Sequence, residues 1–177
     1  MRRAHVAPAT LYAHFPSKDH LVAAYLQRRH ERWRLTWDTA LERVGDDPLA
    51  RLLSVFDALL DLQRAQDAGR GCAFLAAAVE VVEPHHPAHA WLLADTQLLT
   101  ERLRSLAVDA GADQPDTLAA ELILLYDGAL AARARRAISP GNGAPPPVRD
   151  LAAAVAARHV NAGRDTRSVR DTRQHQP

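Results

Sequence analysis

Thr10, Tyr12, His14 and Lys18 place four hydrogen-bond donors within nine residues, inside the stretch VAPATLYAHFPSKDHLVAAYL of Val6–Leu26. Thr10 and His14 stand at i and i+4, so on a helix they share a face. Lys18 is the only lysine of the chain, and the other 21 of its 22 basic side chains are Arg. Residues 1–34 carry seven basic residues against two acidic ones, a local charge of +5 in a chain whose total is +1. A basic end supplies the Coulomb attraction and counterion release that a polyanion-binding module needs, although a solvated helix face carries such charges too.

Three other groups of residues hold chemical potential. His85, His86 and His89 beside Glu80 and Glu83 offer imidazole and carboxylate, the donors of divalent transition metals. They straddle Pro84 and Pro87 in an inter-helix loop and match no zinc spacing, so a solvated loop is the expected reading. Cys72 is a single cysteine, which excludes an intrachain disulfide and fits a reducing compartment. As a nucleophile it needs an activating base that nothing in the sequence places nearby, so a buried thiol is expected. Asp127 sits inside LILLYDGAL, where an unpaired carboxylate is costly, and an Arg partner, a ligand or an edge position would each resolve it. Among the aromatics, Phe56, Phe74, Trp91 and Tyr126 are expected in the core or lining an apolar pocket between helices.

The elements that would position these residues are helical throughout. The 177 residues are 47% apolar and 24% charged, a globular composition. No alternating apolar run competes with the helical periods. Pro8 suits the first turn of a short helix, Pro16-Ser17 breaks it, and Ser17 caps a long helix reaching Val44. Val22, Tyr25, Leu26, Arg29, Trp33, Thr36, Ala40 and Val44 form its stripe, interrupted only by Arg29 and Thr36. Gly45-Asp46-Asp47-Pro48 stops that helix and starts the next, whose expected inner side is Leu49, Leu52, Leu53, Phe56, Leu59, Leu60 and Gln63. Cys72–Val82 follows, with Phe74, Leu75, Ala78, Val79 and Val82 in register. Ala88–Ala110 comes next, and Thr117–Ile138 is apolar on nearly every side. SPGNGAPPP, Ser139–Pro147, reads as a connector, and a last helix runs from Val148 to about Asn161. The rest is polar and without aromatics, as a disordered tail is. No apolar run is long enough for a membrane span, and no secretory leader is apparent.

The run Thr10-Leu11-Tyr12-Ala13-His14-Phe15-Pro16-Ser17-Lys18 resembles the recognition-helix end of the TetR family of bacterial transcriptional regulators. Gly71-Cys72, Ala110-Gly111-Ala112-Asp113 and Tyr126-Asp127-Gly128-Ala129 resemble the same family's regulatory part less specifically. His5 and Ala7 depart from the Gly and Ser of the family's turn, and two further helices precede this segment in the family where five residues precede it here. The resemblance implies an all-α protein with a partial helix-turn-helix followed by a helical ligand-binding and dimerisation bundle. The expected division is residues 1–44, 45–162 and a tail at 163–177. It implies DNA contacts from Ala7, Pro8, Ala9, Thr10, Tyr12, His14 and Lys18, with the short helix in the major groove of a double-stranded operator.

The function expected on this basis is a cytoplasmic, homodimeric regulator, a repressor, that answers to a small hydrophobic effector and uses no metal or other cofactor. The candidate effector-binding residues are Phe56, Phe74, Trp91 and Tyr126, and dimerisation is expected through the last two helices. One rival is a small-molecule-binding dimer that has lost specific DNA binding with its first helices. The other is an enzyme using the His/Glu loop, which lacks a placed acid–base pair; no enzymatic activity is expected.

Overall fold

The computed structural model describes residues 14–65, 72–138 and 147–160, and these are all-α. Helix α1 is Lys18–Val44, α2 Pro48–Ala65, α3 Ala73–Glu80, α4 His89–Asp109 and α5 Pro115–Ile138; α6 spans residues 148–160. The connector 139–146 and the tail expected at 163–177 lie outside the described residues. No described helix is long and apolar enough to cross a membrane.

Local chemistry sets the ends of α1. Ser17 is extended, and its Oγ accepts the His20 N–H at 3.3 Å, satisfying one of the donors that a helix start leaves open. Asp19 in the first turn and Arg43 in the last complement the helix dipole. Gly45, at φ 67°, takes the left-handed backbone that ends the helix. Asp47 then accepts the Leu49 N–H on its carboxylate at 3.1 Å, and Pro48 opens α2 where no N–H is required.

The main core joins the C-terminal half of α1 to α2, α4, α5 and α6. Trp37 is fully buried at its centre, and its indole N–H donates to the Ser54 hydroxyl at 3.0 Å. That bond satisfies both polar groups where water does not reach. Trp33 lies with its ring 5.8 Å from Trp37 and 5.5 Å from Tyr126 of α5. Arg102 of α4 closes over the Trp37 ring while pairing with Asp38 at 2.6 Å. Helix α6 docks through Ala152 and Ala156. It is held at its ends by Arg149 to Asp57 (2.9 Å) and by His159, whose Nε2 lies 3.1 Å from Glu121. A smaller cluster, built on Ala23, Leu26 and Ala88, seats α3 and the following loop against the N-terminal half of α1.

Two helix faces differ from the periodic reading. In α2, Leu49 and Leu60 are exposed, while Ser54, Val55 and Ala58 are fully buried. The helix is covered on several sides by α1, α4 and the last two helices, so a single stripe does not describe it. Of the register expected around α3, Phe74 faces the small cluster, but Leu75, Ala78 and Val79 of the helix and Val82 just beyond it are exposed, Val79 at 81%, and Ala73 and Ala77 join Phe74 on the inner side. Seven successive apolar residues before Glu80 give periodicity nothing to discriminate.

Candidate functional site

Two regions carry the candidate residues. The first is the start of α1. His14 and Lys18 are exposed there. Ala7, Pro8, Ala9, Thr10 and Tyr12 lie outside the described residues. His86, in the loop after α3, reaches this end of α1: its Nε2 stands 3.4 Å from the Asp19 carboxylate while its Nδ1 accepts the Ala88 N–H at 3.0 Å. The backbone donor fixes the Nδ1 nitrogen as acceptor, so the ring's remaining hydrogen points at Asp19. Among the described residues no group of three or more His, Cys, Asp or Glu is arranged to hold a metal ion.

The second region is a cavity of about 260 Å³ between α1, α2, α3, α4 and α5. One helix supplies much of its wall: Tyr25, Arg28, Arg29, Arg32 and Trp33 of α1. Tyr25, Arg29 and Trp33 form one i, i+4 ladder and Arg28 and Arg32 an adjacent one, so a single face turns all five toward the cavity. Leu59 and Leu62 come from α2, Cys72 and Phe74 from the start of α3, and Asp95 from α4. Tyr126, Leu130 and Arg133 complete it from α5. Arg29 donates to the Tyr25 hydroxyl at 3.3 Å and lies 5.6 Å from the centre of that ring.

Burial governs the titrating groups here. It pushes the Asp95 carboxyl up to about 6, against the opposing pull of His30, whose Nδ1 lies 3.5 Å away. That contact is too long for a strong hydrogen bond, and the His30 Nδ1 has no other partner among the described residues. Burial also raises the Cys72 thiol, despite N–H donation from Leu75 and Phe74, so the sulfur is a protonated wall group rather than a ready nucleophile. The Tyr126 hydroxyl is raised for the same reason, as is Asp127.

Of the four aromatics read as effector contacts, Phe74 and Tyr126 line this cavity. Phe56 is fully buried in the main core, and Trp91 sits in the smaller cluster with its ring 5.9 Å from His30. The sequence reading missed the arginines and Asp95. Arg29 left a trace, as the charge that breaks the apolar stripe of α1. Arg28 and Arg32 look like any solvated helix face until the fold closes a cavity beneath them.

Residues 1–25 match the family model described as bacterial regulatory proteins, tetR family. Over 89% of its length the chain superposes on a solved structure with a TM-score of 0.70 and 29% sequence identity, covering 78% of that chain. That structure is SCO4454, a TetR-family transcriptional regulator from Streptomyces coelicolor. Both matches support a TetR-family protein. No curated protein matches it. The family-model match spans the Thr10–Lys18 motif and the first turns of α1. The structural likeness extends over most of the helical body of the chain.

Proposed function

We propose that this TetR-family regulator is a cytoplasmic, homodimeric repressor that holds double-stranded operator DNA and responds to a small effector with an apolar body. The observation that carries this reading is the double use of α1. Its first turn presents Lys18, and its middle turns line the cavity with Arg28, Arg29, Arg32 and Trp33. A compound that fits the cavity better in one placement of α1 than in another therefore shifts the population of DNA-binding arrangements by its difference in affinity. Phe74 and Tyr126 are the effector contacts retained from the sequence reading.

Ala7, Pro8, Ala9, Thr10, Tyr12, His14 and Lys18 are proposed to face the DNA, with Lys18 on phosphate. Dimerisation is proposed through α5 and α6, whose outer surface is apolar and includes exposed Leu124 and Leu151. A two-fold dimer would set the spacing of the two DNA-contacting ends, and so of the operator half-sites.

The test is a titration of the chain, by fluorescence anisotropy, against a duplex selected from a random pool by the protein itself and against unselected duplex. The expected result is a strong preference for the selected, near-palindromic site. Lys18→Ala should weaken both about equally and flatten the salt dependence. Equal affinity for both duplexes would instead favour a small-molecule-binding dimer without operator specificity.

A further inference from the structure

Arg28, Arg29 and Arg32 stand within little more than one turn of α1, all on the cavity wall, with Arg133 of α5 joining them. Neighbouring like charges on a helix repel. Among the described residues, no carboxylate lies within ion-pair distance of Arg28, Arg29 or Arg32. The one acid among the described lining residues, Asp95, is engaged with His30 instead. Burial raises its pKa to about 6, which lowers its negative charge further toward mild acid. The cavity is thus positive on the α1 side and apolar behind it, where Trp33, Phe74 and Tyr126 present rings.

We propose that the effector of this cavity is a small organic carboxylate, its anionic group held by Arg28, Arg29 and Arg32 and its ring body packed against Trp33, Phe74 and Tyr126. The proposal rests on the reading of this cavity as the effector site. Guanidinium forks match the two oxygens of a carboxylate and form charge-assisted hydrogen bonds with it. Arginine and aromatic rings together also favour planar ligands. A volume of about 260 Å³ lies just below the range of roughly 300–1,000 Å³ common for drug-sized ligands, which limits the body to one or two rings. A cationic compound of the same shape meets the like charges of Arg28, Arg29 and Arg32.

Calorimetric titration of the full chain with 1-naphthoate, its neutral amide 1-naphthamide and the cation 1-naphthylmethylamine tests this. Naphthoate should bind at least about tenfold tighter than the amide, with the amine weakest. The double variant Arg28→Gln/Arg32→Gln changes two exposed side chains and leaves the core intact. It should lower naphthoate affinity by about tenfold and leave the amide unchanged, whereas Phe74→Ala should weaken both. An amide that binds as tightly as naphthoate, or a double variant that binds naphthoate normally, would overturn the anion preference while leaving the cavity an effector site. Absence of binding by all three compounds at millimolar concentration would overturn the effector-site reading itself, and this proposal with it.

Discussion

Two concavities among the described residues share one lining side chain and are built from opposite materials. The cavity beside α1 holds about 260 Å³ and is lined by four arginines and four aromatic rings, Tyr25, Trp33, Phe74 and Tyr126, among the described residues. The groove between α2, α5 and α6 holds about 520 Å³ and is walled by Leu60, Leu124, Leu125, Ala129, Ala132 and Leu151, with Gly128 among them. Leu59 lines both and is itself buried. At the edge of the groove Arg149 is already paired, with Asp57 at 2.9 Å. A Cβ added at Gly128 would meet nothing within 4 Å. Small and branched apolar side chains around open space suit a helix surface from a second copy, which brings its own shape and asks for no ionic partner. Arg28, Arg29 and Arg32 beside aromatic rings suit a small molecule that brings an anion. The difference between the two hollows is therefore a difference in what must be supplied from outside.

The groove offers the largest effect. Gly128→Leu places its Cβ in open space among the described residues and replaces a residue of poor helix propensity, so it should not lower the stability of an isolated protomer. Across a two-fold interface it overpacks twice, at about 1–3 kcal/mol per protomer. Sedimentation velocity should show the dimer dissociating, with Kd raised on the order of a hundredfold or more, while 1-naphthoate binding persists. A wild-type chain that sediments as a monomer at micromolar concentration would break the comparison at once.

Removing the partition should come next. Leu59→Ala deletes a buried side chain between the two hollows and should cost about 2–5 kcal/mol, read from denaturant midpoints. A loss below about 1 kcal/mol would mean that the two spaces already communicate and collapse together.

Asp95 gives a smaller and pH-dependent effect. His30 and Arg29 from α1 and Asp127 from α5 act on it, and burial outweighs the lowering effect of His30 and Arg29. The folded state holds the Asp95 proton more tightly than the unfolded chain. Stability from this group is therefore fully present below the ordinary carboxylate range and is lost as pH rises through about 6. Asp95→Asn should accordingly be more stable than wild type near pH 8, by about 1–3 kcal/mol, and the gain should vanish near pH 4. Thermal melts at the two pH values check this, and a gain of equal size at both would exclude the carboxyl as its source. The smallest effect belongs to neither hollow. Ser17→Ala removes the cap of α1 and should cost about 0.5–1 kcal/mol without changing dimer affinity, as melting and sedimentation would show.

What could be read in the sequence follows the range of the forces involved. The limits of α1 and the start of α2 were legible because Ser17, Gly45, Asp47 and Pro48 act on backbone groups a few residues away. The Thr10–Lys18 motif was legible as a pattern of residue types. The inner face of α3 was not, since its short apolar sequence fits any rotation and only the neighbours Leu26 and Ala88 choose one. The cavity was half legible. Phe74 and Tyr126 belong to apolar stripes, but Asp95 and His30 meet only because α4 packs on α1. The arginine cluster becomes a wall only when α2, α3 and α5 close the space it borders.

The most direct measurement is a crystal structure of the chain grown with 1-naphthoate. The account predicts the carboxylate within hydrogen-bond distance of the Arg28, Arg29 or Arg32 guanidinium and the naphthalene ring against Trp33, Phe74 and Tyr126. It also predicts a second copy laid across Leu124, Gly128 and Leu151 about a two-fold axis. Naphthoate seated instead in the groove of α2, α5 and α6, with the arginine cavity filled by water, would contradict the assignment of both hollows.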